Sequence, residues 1–216
     1  MNRVKKTDDK QRKLTKAEQK RQERFEITRA ELENKGYEMK EHTLGLVYAN
    51  FMAFIVAIPF LISPVLIYLL INPGRFNFSL GLLSLWLFLF IYFAAIVLHE
   101  LVHGITWAAF AENHFKSISF GIMLEMLTPY CNCSEPLKKW QYIVGSLMPL
   151  LVVGMIPAII GALTAVTWLF LIGLFMIVGA GGDIIVSFRL LKYKSDKNEV
   201  VVYDHPTKCG FITFER

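Results

Sequence analysis

Between Leu44 and Leu98 the chain carries one charged side chain, Arg75. An apolar stretch of that length is enough for two helices that each cross a hydrocarbon core of ~30 Å. The charge sits elsewhere. Residues 1–43 hold 13 of the 23 Lys+Arg and 9 of the 18 Asp+Glu. Over the whole chain 19% of residues are charged and 54% are apolar, against roughly a quarter charged in an average soluble domain. This balance excludes a disordered chain and a disulfide-built mini-protein, and it fits an ordinary soluble enzyme poorly. The pattern is a polar arm followed by a membrane-embedded body.

Four apolar spans are expected. The first, Leu44 to Ile71, would be about 42 Å long as a helix, with Pro59 and Pro64 as kink points and a stop at Asn72-Pro73-Gly74. The second runs uncharged from Asn77 to Leu98, its helix continuing to about Ala111. The third covers about Trp140 to Leu163 and contains Pro149 and Pro157; the fourth covers about Ala165 to Leu191. Between the second and third, Phe115 to Leu127 alternates loosely and Thr128-Pro129 follows, which suggests a hairpin, embedded in part or lying at the interface. In the arm, Asp9 and Lys13 form a favourable i,i+4 pair, Leu14 to Asn34 reads as a solvated helix, and Gly36 is its stop. In the tail, Glu199 to Tyr203 reads as a short strand, followed by a turn at Asp204-His205-Pro206. The expected fold is an all-α integral membrane protein with four transmembrane helices and a small β-hairpin-like insertion between helices two and three. It divides into a cytosolic charged arm (1–43), a transmembrane body (44–191) and a cytosolic tail (192–216).

With the arm inside, 22 basic residues lie in cytosolic segments and only Arg75 lies outside. That asymmetry predicts a multi-pass protein of the cell membrane with both termini cytosolic. The first apolar run begins only at Leu44 and is too long for the core of a signal peptide. The net charge of +5 does not point to nucleic acid. The basic residues are interspersed with acids or flank apolar runs, and no basic face with interleaved aromatics appears. Cys131, Cys133 and Cys209 do not make a disulfide framework.

The chemistry gathers near the end of span two, at His99-Glu100-Leu101-Val102-His103. Two histidines at i and i+4 share one helix face about 6 Å apart along the axis, so both imidazoles reach one metal ion. Glu100, beside the first, can reach a water on that metal; this is the H-E-x-x-H arrangement of zinc peptidases. An acid and two histidines in an apolar span are costly without a partner, and a divalent cation supplies one. A hydrolytic zinc site takes a third protein ligand. Asp183 is the best candidate: it is the only acid in spans three and four, it follows a small-residue run (Gly179-Ala180-Gly181-Gly182), and its depth matches that of the histidines. Glu112 is its main rival, and Glu125, Glu135, His114, Asp204 and His205 are further candidates. Cys131-Asn132-Cys133 reads as structural, and Gly179–Gly182 lacks the Lys-Ser/Thr of a phosphate loop.

HELVHG at 99–104 on one span and GGD at 181–183 on a later one resemble the intramembrane site-2-type zinc proteases. More closely, the chain resembles a family of small bacterial membrane proteins classed as zincin peptidases, DUF3267, through the H-E-x-x-H, Pro149, Asp183, Asp204-His205-Pro206 and Gly210. Where site-2-type proteases present Leu-Asp-Gly, this chain has Gly-Gly-Asp-Ile. The resemblance implies zinc held by His99, His103 and Asp183, Glu100 as general base, and a membrane-anchored protein or peptide as substrate in the lipid bilayer. A catalytically silent metal-binding membrane protein, and a transporter or accessory subunit that handles ions, are the alternative readings of the same residues.

Overall fold

The computed structural model describes residues 14–74, 82–123 and 128–216. The Asp9–Lys13 pair, the Arg75 loop, the start of the second span and Glu125 lie outside them. The arm opens with α1 (Lys16–Asn34). Its N-terminus is closed by a capping box, Thr15 with Glu18, and it stops before Gly36, whose φ of +85° suits glycine. The expectation of a solvated helix is corrected here. Phe25 and Leu32 are buried, and Phe25 packs on Tyr203 at 5.4 Å between ring centroids. About five turns of mostly charged sequence conceal a two-residue apolar contact. After α1 comes β1 (Glu38–Thr43).

The body holds α2 (Leu46–Ile71) and α3 (Leu82–Phe110). α2 runs through both Pro59 and Pro64. Leu70 and Leu83 are 79% and 84% exposed, and Phe51, Phe90 and Phe93 are also largely exposed. A surface that apolar is compatible with lipid. The expected hairpin forms as β2 (Ile118–Met123) and β3 (Thr128–Cys133). Thr128-Pro129 opens the second strand, with Pro129 opposite Ile122. Phe120 and Ile118 lean on α3 at Gly104, where a Cβ would collide with Phe120 and press on Ile118. β4 (Leu137–Lys138) leads into α4 (Lys139–Pro149), a wide π-type turn (Leu150–Met155) and α5 (Ile156–Thr164). Where a fourth span is expected, two helices form, α6 (Thr167–Gly179) and α7 (Gly181–Lys192), bent by 44°. Three helical stretches are long and apolar enough to cross a membrane, and the bent pair makes a fourth if counted as one span.

An all-α fold is not what forms. The chain is mostly helical with small antiparallel sheets. The tail contributes β5 (Val200–Asp204), which matches the strand read from the sequence, and β6 (Gly210–Glu215), which that reading missed. With β1 and β4 they make one antiparallel sheet in the order β1-β6-β5-β4. β1 of the arm thus pairs with β6 of the tail, Glu38 opposite Glu215 through Thr43 opposite Gly210. Its sequence, Glu-Met-Lys-Glu-His-Thr, shows little strand signal because it is a charged edge strand.

Glu215 is fully buried in this sheet. Lys40 Nζ donates to it at 2.8 Å, Ser195 Oγ at 2.8 Å and Thr213 Oγ1 at 3.2 Å, and the Tyr193 hydroxyl donates as well. Burial alone would raise its carboxyl, but these donors outweigh burial and hold it at about 2. A folded-state value below the ordinary one contributes stability that is present above about pH 4.5 and is lost as pH falls towards 2. Glu215→Gln is expected to lower the melting temperature at pH 7 and to flatten its fall between pH 4.5 and 2; the melting temperature against pH for both proteins checks this.

Candidate metal centre

The site is built from two helices. His99 and His103 lie one turn apart on α3 and are both buried. Asp183 lies in the first turn of α7, which starts anew after the bend at Ala180. The bend places the carboxylate at a helix N-terminus, where unpaired N–H groups favour negative charge. The neighbouring glycines act differently from one another. A Cβ on Gly181 would collide with Ala53 of α2, so its bare backbone lets α7 lie against α2. Gly179 and Gly182 meet nothing and instead line the cavity of the site. Among the glycines of this run, only Gly181 serves close helix approach.

Three side chains converge. His99 Nε2 is 3.2 Å from Asp183 Oδ2, His103 Nε2 is 3.4 Å from Asp183 Oδ1, and the two Nε2 atoms are 3.2 Å apart. Around a tetrahedral zinc with ligand distances of ~2.0–2.1 Å, neighbouring donors stand about 3.3–3.4 Å apart. The three groups therefore fit a zinc ion by donor type and by spacing. Among the described residues they are the group of His, Cys, Asp and Glu side chains whose ligand atoms could hold a metal. The other candidates are engaged elsewhere. Glu135 accepts from the backbone of Glu112 and Asn113 and from Ser117. His114 Nδ1 donates to Ala108 O, and His205 bonds Glu41. The Glu112 side chain borders a separate groove beside Arg24 and Glu135.

The orientation of His103 has a covalent origin. Its Nδ1–H donates to the carbonyl of Gly145 at 2.9 Å, which leaves Nε2 with its lone pair towards the site. In a regular α-helix that carbonyl would accept from residue 149. Residue 149 is proline and has no N–H, and its ring pushes that carbonyl aside. Pro149 thus frees the acceptor that aims His103. Gly145 is also where Trp107 packs, and a Cβ there would overlap the indole. Trp107 stacks on His103 at 5.0 Å and on Tyr142 at 5.5 Å, and its Nε1–H donates to Tyr142 O. Tyr142 in turn donates its hydroxyl to Asp204 Oδ1 at 2.5 Å, and Cys133 N–H donates to Asp204 Oδ2 at 2.9 Å. Asp204 is therefore not the third member of the cluster but the link between the sheet, the hairpin and the aromatic stack. Burial raises its carboxyl to about 6, against the pull of Tyr142 and Cys133. Sequence reading missed Trp107, Tyr142 and Gly145; the i,i+4 relation of His103 and Trp107 was the signal available for the first of them.

Glu100 lines the same cavity of about 260 Å³, together with Tyr130, Cys131 and Asp204. It accepts a hydrogen bond from the Cys131 backbone of β3. The hairpin thus roofs the cavity and holds the carboxylate of Glu100 beside the cluster. Cys131 and Cys133 are free thiols, and burial keeps both protonated, Cys133 up at about 12. The arrangement can bind a divalent cation and keep a carboxylate next to it, with both histidines buried and Asp183 open to the cavity.

Restoring an N–H at position 149 gives Gly145 O a competing donor. Pro149→Ala is expected to weaken zinc binding by about 10–100-fold, the range for loss of a partner that orients a ligand. Competition with a chromogenic chelator measures it, and circular dichroism checks that the helices persist.

No curated protein and no solved structure matches the chain. Residues 92–197 match the model of a family described as "Putative zincin peptidase". That segment runs from the second half of α3 through the hairpin to the end of α7, so it contains both histidines, Glu100 and Asp183. Over that segment the chain is similar to the DUF3267 family, whose described chemistry is the one the cluster on α3 and α7 suits.

Proposed function

We propose that this chain is an intramembrane zinc metallopeptidase that hydrolyses peptide bonds of membrane-anchored proteins or peptides. The observation that carries the reading is the triangle of His99, His103 and Asp183, with edges of 3.2–3.4 Å. His99, His103 and Asp183 would hold the zinc, which when bound would supply a Lewis acid and lower the pKa of water to about 7. Glu100 takes the proton of the attacking water on its carboxylate and hands it to the leaving amine. His103 is fixed in one tautomer by Gly145 O. The hairpin and the aromatic stack of Trp107 and Tyr142 keep the cavity narrow, so a peptide must enter it extended.

Four crossings suit the topology best. β1 precedes the spans and β6 follows them, yet the two pair in one sheet. Both ends therefore lie on one face of the helices, which calls for an even number of crossings, and α6 with α7 counts as one. β4 joins the same sheet between the second and third spans, as that count requires. The excess of Lys and Arg assigns this face to the cytosol. In this reading the cell membrane holds the body, and Phe120 and Ile122, both exposed on the hairpin, rest in its interfacial layer.

Two substitutions separate metal binding from catalysis. His99→Ala is expected to abolish stoichiometric zinc. Glu100→Gln is expected to keep zinc and lower cleavage of a co-expressed membrane substrate by about 10²–10⁴-fold, as for loss of a general base. Unchanged processing by Glu100→Gln refutes the peptidase reading, while unchanged zinc in His99→Ala refutes the ligand set.

A further inference from the structure

A second cavity of about 640 Å³ opens between α2 and α7, where the sheet meets the helices. It is divided by depth. Its inner wall is apolar, formed by Met52 and Val56 of α2 with Ile185 and Phe188 of α7. Its rim is polar and cationic. Arg189 and Lys192 occupy the last turn of α7, and Tyr48 faces them from the first turns of α2. Glu41, His42 and Thr43 of β1 close the top.

Among the described residues the cations at this rim have no acidic partner. Arg189 donates to Thr43 O at a long 3.5 Å and lies 5.8 Å above the Tyr48 ring. Lys192 sits 4.3 Å over Phe188. Among the described residues no carboxylate pairs with either. The one acid at the rim, Glu41, is engaged by Lys208 and His205. Two cations without counter-ions, above an apolar cleft between helices and flanked by exposed aromatics, present the complement of an anionic amphiphile. The phosphate goes to the rim and a chain goes to the cleft.

We propose that this groove binds one anionic phospholipid, its phosphate held by Arg189 and Lys192 and one acyl chain lying along Met52, Val56 and Ile185. This rests on the reading of α2 and α7 as membrane-embedded, and it does not depend on peptidase activity. The site matters for the metal centre because α7 also carries Asp183, and α2 and α7 touch at Ala53 and Gly181 just below the groove. A lipid seated there braces the helix pair that presents the carboxylate.

The test uses the full chain in nanodiscs of phosphatidylcholine doped with phosphatidylglycerol, extracted and read by native mass spectrometry. One phosphatidylglycerol per chain is expected to be retained in preference to phosphatidylcholine. The double substitution Arg189→Gln/Lys192→Gln is expected to lower that retention by about tenfold or more, given the attraction of each basic group for anionic lipid. Val56→Trp, which fills the cleft and leaves both cations, is expected to lower it too. Lys16→Gln/Lys20→Gln on α1 removes the same charge elsewhere and is expected to change nothing. Equal retention of the two lipids, an equal loss in the α1 variant, or displacement of the lipid by inorganic phosphate overturns the proposal. Zinc content and melting temperature, read on each variant, separate loss of the groove from loss of the fold or of the metal centre.

Discussion

An imidazole or a carboxylate within an apolar helix bundle costs free energy unless it finds a partner, and His99, His103 and Asp183 find one another. Much of the structure follows from that requirement. α3 must present two residues four apart, and α7 must begin afresh at Ala180 so that Asp183 sits in a first turn. α7 must also come close to α2, which the bare backbone of Gly181 permits. Three like-sized donor distances of 3.2–3.4 Å around one point are what a tetrahedral cation asks of its ligands.

The order behind the cluster is carried by a proline. A carbonyl in mid-helix is normally taken by the N–H four residues on, and Pro149 cannot supply it. The released oxygen of Gly145 accepts a hydrogen bond from His103 Nδ1–H, and the glycine makes room for Trp107. From Trp107 the contacts run through Tyr142 and Asp204 into the sheet that joins arm and tail. The polar ends of the chain are thus part of the scaffold of the site. Gly210, whose φ is +138°, turns the chain into β6 directly beside His42 and Thr43 of β1, where no side chain fits.

The sequence made some of this legible and concealed the rest. The histidine pair and Glu100 are local, and helical spacing alone puts both histidines on one face. Asp183 could be chosen because an acid in an apolar span stands out and because its depth matched. The hairpin showed in loose alternation, though not the place where its second strand begins. What stayed hidden is non-local. Nothing in Glu38–Thr43 says that it pairs with residues beyond 209, since an edge strand need not be apolar. The burial of Phe25 depends on Tyr203 and Phe214, which the chain reaches only at its other end. The glycine run around Ala180 was visible, but a glycine run does not say whether a helix bends there, and the role of Pro149 depends on which side chain lies opposite the carbonyl it frees.

The claim on which the account stands is that α3 and α7 together hold one zinc ion through two imidazoles and a carboxylate. Zinc K-edge absorption on the purified full chain reads this without a substrate. The account predicts one zinc per chain with a first shell of nitrogen and oxygen at about 2.0–2.2 Å and the multiple-scattering signature of two imidazoles. A chain that takes up no zinc, or a shell containing sulfur at about 2.3 Å, which would move the ion to Cys131 and Cys133, would contradict it.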